Sequence, residues 1–519
     1  MTAGGFPLVR PERRGASVSP APAPAPAPAP AAESAGRRAT SMMPDLFGRG
    51  LLYVVVWSLQ LVTASVVSPV LAHVMGPAEF GRLASAIALY QVLIVLATMG
   101  LDQAIILERV RDEGARAARG LLAVGILVAS LVTLAAAVSA PWWGRWLGFG
   151  GLTSLVVATV LWTAPGAAVQ LMMALLRSDD RLRSFAILSC LAALGGQVFG
   201  IGLLLAYARD ASTYAWGGVI SLYLALAVGI VQTRPLPGGL LAGRVLVRAA
   251  RLGLPLVVSG LCVFVLNAGD RVIIQRYLGA EEVGRYQVAY TVGYVVVLLL
   301  VFTSQAWTPR IAAVSDHVQR WDLIGRSRDE LYRLLIPMLL GITLAAPVML
   351  RVVAPASFRP ETLLVVVFLV ALSAFPVAAV GASARALVSV RRSRPLAAVA
   401  VVAAGANVGL NVALVPVLGI AGSALATVIA FTVQAVLQRF AVPRTPRWPH
   451  LRPSLALAVI AASVASALSV LAPQTPAWNA GRFALALACL PWFLLHLRQA
   501  RRGVTRSRGR HRSAARHRA

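Results

Sequence analysis

Apolar residues run in long unbroken stretches along this chain, and polar residues gather in the short gaps between them. A membrane-crossing helix needs roughly 20 apolar residues to span a hydrocarbon layer about 30 Å thick. Fourteen stretches of that kind occur, at 51–74, 83–107, 119–140, 152–176, 184–207, 213–233, 252–277, 287–309, 332–353, 362–386, 395–416, 419–440, 453–472 and 480–498. The pattern predicts an all-α polytopic membrane protein. Between the eleventh and twelfth stretches only Pro416-Val-Leu-Gly419 is left for a turn, so that turn must be tight.

The gaps carry an internal repeat. Residues 76–82 read Gly-Pro-Ala-Glu-Phe-Gly-Arg and residues 279–285 read Gly-Ala-Glu-Glu-Val-Gly-Arg, so Gly-x-x-Glu-x-Gly-Arg recurs at an offset of 203. The offset lays the first stretch on the seventh and the second on the eighth. Both copies fall on the same side of the membrane, which makes the halves parallel repeats about an axis along the membrane normal. The organisation that follows is a tail at 1–50, a six-helix N-lobe at 51–233, a linker at 234–251 and a six-helix C-lobe at 252–440. An appended helix pair lies within 441–498, and a second tail covers 499–519. Pro235, Pro237, Gly238 and Gly239 mark the linker.

Composition agrees with a membrane setting: 58% of the residues are hydrophobic, 13% are charged and the mean hydropathy is +0.76. Soluble domains carry about 25% charged residues. The net charge of +29 comes from 48 basic residues, all of them Arg. Their placement argues against nucleic acid, because they sit between apolar runs and in the tails rather than on a basic, aromatic surface. With a cytoplasmic N-terminus, the six cytoplasmic connections hold 23 Arg and the seven outer ones hold 8. That bias predicts a multi-pass protein of the cytoplasmic membrane with both termini inside. The Ala-Pro tract at 20–30 favours polyproline II and a disordered tail. Nine Arg from Arg498 onward either attract anionic lipid or only fix topology. Cys190, Cys262 and Cys489 lie in separate stretches, which implies no disulfide framework, metal site or cofactor.

Three segments resemble a known family. They are Val74 to Arg82, Asp270 to Gly279 running into the second signature, and Asn407-Val-Gly-Leu-Asn-Val-Ala-Leu-Val-Pro-Val-Leu-Gly-Ile-Ala-Gly-Ser-Ala-Leu-Ala-Thr427. Together they resemble the polysaccharide exporters, or oligosaccharide flippases, of the multidrug/oligosaccharidyl-lipid/polysaccharide (MOP) superfamily. The resemblance implies a V-shaped bundle of two six-helix lobes, with two added helices in some members. It also implies transport of a polyprenyl-diphosphate-linked oligosaccharide, with membrane lipids and other polysaccharide assembly proteins as partners. Lipid II flippases and multidrug extruders of the same superfamily are alternatives. The first stretch holds neither the arginines of the former nor an early carboxylate of the latter.

Ionisable groups inside a membrane are costly and by default face a cavity or a partner. Arg271 and Asp270 lie outward of the seventh stretch's midpoint. Under the resemblance, Arg271 holds the diphosphate and Asp270 orients it or carries a coupling cation. The alternative is a structural ion pair or an outward-snorkelling Arg, and neighbours about 100° apart on a helix would pair only under strain. Asn267 shares their face. Asp102 in the second stretch and Gln305 in the eighth are equivalent by the repeat and suggest a cavity wall; hydration of Asp102 at the helix end is the alternative. Gln60, Gln91, Gln170, Gln197 and Gln287 either line a sugar path or bond between helices. Arg385 is expected to snorkel. The outer connections are short, and their few acids include Glu79 and Glu282, expected to cap the helices that begin at each signature. No positioned acid, base or nucleophile suggests an enzyme.

Overall fold

The computed structural model describes residues 66–110, 114–238, 243–305, 307–443 and 448–516. Its helices are α1 (Val66–Thr98), α2 (Leu101–Arg109), α3 (Gly114–Trp146), α4 (Ser154–Ser178), α5 (Leu182–Ala206), α6 (Ala211–Thr233) and α7 (Gly243–Leu278). They continue as α8 (Ala280–Gln305), α9 (Thr308–Ala313), α10 (His317–Val353), α11 (Leu364–Ser389), α12 (Ser393–Ala441), α13 (Pro453–Leu471) and α14 (Pro476–Arg516). Twelve are long and apolar enough to cross a membrane. All fourteen apolar stretches fall on helices, the first only through its end, because its beginning, Gln60 and the N-terminal tail lie outside the described residues.

Glycines decide where the long helices turn. Gly76 (φ 76°) interrupts α1 and Gly279 (φ 88°) separates α7 from α8, at equivalent positions of the two signatures. Gly419 (φ 60°, ψ −146°) breaks α12 where the tight turn is expected, so α12 holds both the eleventh and twelfth stretches. Its two arms are stapled by buried polar groups: Ser423 Oγ donates to Asn411 Oδ1 (2.7 Å), and Asn411 Nδ2 donates to the Asn407 carbonyl (2.9 Å). Polar caps start other helices, with Asp210 accepting from the Thr213 amide (2.7 Å) and Asp316 from the Gln319 amide (2.7 Å).

Packing follows the repeat. In the first half, α2 packs on α3 and α4. In the second, α8 packs on α10 and α11, while α12 lies along α7. Helices α13 and α14 each pack on α10. At the signatures the halves meet backbone to backbone. A Cβ on Gly81 would overlap the Ala280 carbonyl, and one on Gly284 would overlap the Pro77 carbonyl. Residues 77 and 280, like 81 and 284, differ by the repeat offset. Glycine is therefore required twice, by reciprocal contacts about one local axis. A shared apolar core surrounds this contact and joins Leu71, Phe80 and Tyr214 to Ile274, Tyr286 and Phe358.

Glu282 stands in the first turn of α8, as expected of an acid at a helix start, whereas Glu79 lies inside α1. Glu79 bonds Arg82 (2.6 Å) and accepts from the Ala211 amide (2.9 Å), capping α6 instead. Glu282 pairs with Arg285, which reaches Thr362 Oγ1 (2.6 Å) ahead of α11. Each signature thus pins a different neighbour. Arg385 does not snorkel freely, since its Nη1 is buried without a hydrogen-bond partner among the described residues. Helix α14 runs on through the Arg-rich C-terminal segment to Arg516.

Candidate functional site

A cavity of 410 Å³ lies between equivalent helices of the two halves. From the first half it is lined by Ser68, Ala84, Ile87 and Gln91 of α1, with Gln197 of α5 and Tyr214 of α6. From the second it is lined by Asn267 and Arg271 of α7 and by Gln287, Tyr290 and Tyr294 of α8. Arg271 is the one charged residue among the described lining residues.

Arg271 is held from several directions. Its Nε donates to Gln287 Oε1 (3.0 Å), and its Nη1 donates to the Asn267 carbonyl (2.8 Å) and to Asp270 Oδ1 (2.7 Å). The guanidinium lies 4.0 Å from the centre of the Tyr290 ring, within cation–π range. Asp270, 2% exposed, also accepts from the Arg271 amide (2.9 Å) and from the Tyr286 hydroxyl. Sequence neighbours do pair here, contrary to the strain expected of them. The long Arg side chain folds back along its helix, and the aspartate takes the backbone amide at the same time. The pair removes the net charge that a lone buried Arg would carry, and both members are hydrogen-bonded, as burial of ions requires.

Further along α7 towards the signature, Gln275 accepts from Ser85 Oγ (3.1 Å) and donates to the Gly148 carbonyl (3.2 Å). Towards the other end of α7, α1 and α2 meet that helix. Cβ atoms on Gly100 and Gly253 would run into Gly253 and Met99 respectively, and Val95 abuts Gly260. Arg248 and Glu108 add an ion pair of 3.5 Å at that end.

Of the residues singled out by sequence, Arg271 and Asn267 line the cavity and Asp270 supports Arg271 from behind. Gln91, Gln197 and Gln287 line it as well, whereas Gln170 does not. Asp102 sits in the first turn of α2, accepts from the side chain of exposed Gln103 (2.9 Å) and is not a lining residue. Arg109, at the end of α2, pairs with Asp179. Gln305 is the last residue of α8, and its side chain lies outside the described residues. Sequence reasoning missed Tyr286, Tyr290 and Tyr294. Their spacing of four was visible and places all three on one helical face. Tyr290 and Tyr294 stack, with ring centres 5.1 Å apart and planes at 19°. No group of three or more His, Cys, Asp or Glu gathers as a metal site among the described residues.

An all-helical membrane bundle with repeated halves around a cavity that holds one charged residue defines the class to which this chain belongs. A family described as polysaccharide biosynthesis protein matches residues 70–360, more than half of the chain, and the chain belongs to that family. Among solved structures, it is similar to the lipid II flippase MurJ in an inward closed conformation (TM-score 0.64, 13% identity, 88% of this chain and 100% of that one). It is also similar to an inward-facing multidrug resistance MATE family transporter of the MOP superfamily (TM-score 0.55, 14% identity, 75% and 98%). At these identities the likeness establishes a shared fold. No curated protein matches the chain.

Proposed function

We propose that this chain moves a polyprenyl-diphosphate-linked oligosaccharide, or a similar polysaccharide precursor, across the cytoplasmic membrane by alternating access. In this reading the lobes at 51–233 and 252–440 rock about the signature contacts, with 234–251 as their cytoplasmic linker. The arginine bias puts the signatures on the outer side and both tails inside. The observation that carries the proposal is Arg271: it is almost buried, rigidly held, and lines a cavity between the lobes of a fold shared with a lipid II flippase. Arg271 meets the diphosphate, Asp270 and Gln287 orient it, and Asn267, Gln91 and Gln197 bond the first sugar. Transport of this kind moves a substrate without chemically changing it, so no catalytic residue is assigned. A drug extruder of the MOP type is less well supported, because no carboxylate is among the described cavity-lining residues to attract a cationic drug.

The test is the leaflet distribution of lipid-linked glycan in a deletion strain complemented with wild type, Arg271→Ala or Asp270→Asn at matched membrane levels. Cytoplasmic-leaflet accumulation rescued by wild type and not by Arg271→Ala is the expected result. Normal glycan export in the deletion strain would overturn the reading.

A further inference from the structure

A second cavity, of 270 Å³, opens at the end of the C-terminal half remote from its signature. It is lined by Arg328 and Tyr332 near the start of α10, Arg439 near the end of α12, and Trp448, Pro449 and His450 in the segment leading to α13. Leu350, which packs in the signature core, lies 22 residues further along α10 than Arg328. At 1.5 Å per residue that is about 33 Å, the thickness of a hydrocarbon layer. The cavity therefore sits at the opposite membrane interface, which is the cytoplasmic one in the orientation proposed above.

We infer that this cavity binds the phosphodiester headgroup of an acidic membrane phospholipid. The charge inventory favours an anion. Arg328, buried, is engaged by Asp329 Oδ1 (2.8 Å from Nη2) and by the Pro449 carbonyl (3.1 Å from Nη1). Arg439 has no hydrogen bond or ion pair among the described residues and is held over the Trp448 ring, 5.7 Å from its centre. Two guanidiniums thus face one carboxylate, and His450 adds a further donor. Other acids of this part of α10 are committed: Asp322 pairs with Arg326, and Glu330 with Arg333. A single excess positive charge suits a phosphodiester, and repels the ammonium group of a zwitterionic lipid.

The surroundings favour a lipid over a soluble phosphate. Phe440 (82% exposed) adjoins Arg439 on α12, and Leu457 and Ile460 are exposed on α13. These apolar side chains offer acyl chains a surface beside the headgroup. Basic pockets between helices at the cytoplasmic interface are where anionic headgroups bind. A Trp with Arg beside it at that depth is an interfacial pairing of ring and charge.

Full-length protein, delipidated in detergent, would be titrated with phosphatidylglycerol or phosphatidylcholine and bound lipid read by native mass spectrometry. Wild type is compared with Arg439→Glu and with Arg326→Glu, a charge reversal on the exposed surface of α10 outside the cavity. We expect wild type to prefer phosphatidylglycerol, with binding weaker by about fivefold or more in Arg439→Glu, since each basic group near such a headgroup contributes about 1 kcal/mol. Arg326→Glu should bind nearly as wild type does. Equal losses in both variants, or equal binding of the two lipids, would overturn the inference. Displacement of phosphatidylglycerol by soluble glycerol phosphate at millimolar concentration would also overturn it, by assigning the cavity to a cytosolic phosphate.

Discussion

The central cavity has two walls built from equivalent positions of the repeat, and they differ in chemistry. Ser68, Ala84, Ile87 and Gln91 stand in the first half where Arg271, Gln287, Tyr290 and Tyr294 stand in the second, each pair separated by the offset of 203. Val67 and Leu83, which line the cavity, stand where Asp270 and Tyr286 stand behind the second wall. The backbone frame is duplicated, down to reciprocal glycine contacts at the signatures. The site is not. A buried arginine needs a carboxylate, a carboxylate needs donors, and each addition must be made together with its partner. Only the second half carries the whole set, so the cavity pairs one charged, aromatic wall with one mostly apolar wall. Such a cavity suits an amphiphile that presents a polar head to one side and lipid to the other.

The strongest way to break this contrast is to remove the charge of the second wall. Arg271→Met leaves Asp270 buried without its counter-ion, which costs about 3–5 kcal/mol when one partner of a buried pair is deleted. The detergent-solubilised variant should melt well below wild type and accumulate poorly. The double variant Asp270→Asn/Arg271→Met removes both charges and should recover much of that stability while failing to restore glycan export. Thermal melting and the leaflet assay, run on the same preparations, separate the two effects. A double variant that exports normally would reduce the charged wall to a structural ion pair.

A smaller effect is expected at the contact that makes the two halves alike. Gly284→Ala places a methyl group against the Pro77 carbonyl, and Gly81→Ala does the same against Ala280. Overpacking of this kind typically costs about 1–3 kcal/mol. The halves must separate at the signatures, so the cavity should become more open on that side. A cysteine at Ser68, in a background lacking Cys190, Cys262 and Cys489, should then react faster with a membrane-impermeant thiol reagent. Both substitutions should act alike, because the contacts are reciprocal. Opposite effects would mean that the local axis is only apparent.

Much of the frame was legible from sequence because membrane burial writes itself into composition. Runs of apolar residues, the recurring signature and the arginine bias need no tertiary information, and all fourteen stretches fall on helices. The tight turn at Gly419 was visible as a shortage of residues. Depth along a helix was also readable, which is why Arg271 and Asn267 stood out. Facing was harder. Asp102 is assigned to a cavity wall by the repeat offset, yet it does not line the cavity, because equivalence by offset says nothing about which face a helix presents. The Asp270–Arg271 pair was misjudged for a related reason: ideal angular spacing ignores the reach of a long side chain that curls back onto its own helix. Glu79 was expected to serve its own helix and instead caps α6, a contact spanning 132 residues that local pattern cannot encode.

The finest test of the two-wall contrast exchanges a single pair. Tyr294 stacks on Tyr290, whose ring carries the guanidinium of Arg271, so the tyrosines act as a support as well as a surface. Tyr294→Phe keeps the ring and loses only a hydroxyl, and export should stay within about twofold of wild type if stacking is what matters. Tyr294→Gln installs the residue that the first half carries at the equivalent position, Gln91. It removes a stack worth about 0.5–1.5 kcal/mol, so export in the leaflet assay should fall roughly two- to tenfold. If the Phe variant falls as far as the Gln variant, the hydroxyl rather than the ring is the working group. If neither falls, the aromatic character of the wall ends at Tyr290, and the charged side of the cavity contracts to Arg271, Gln287 and the ring that covers them.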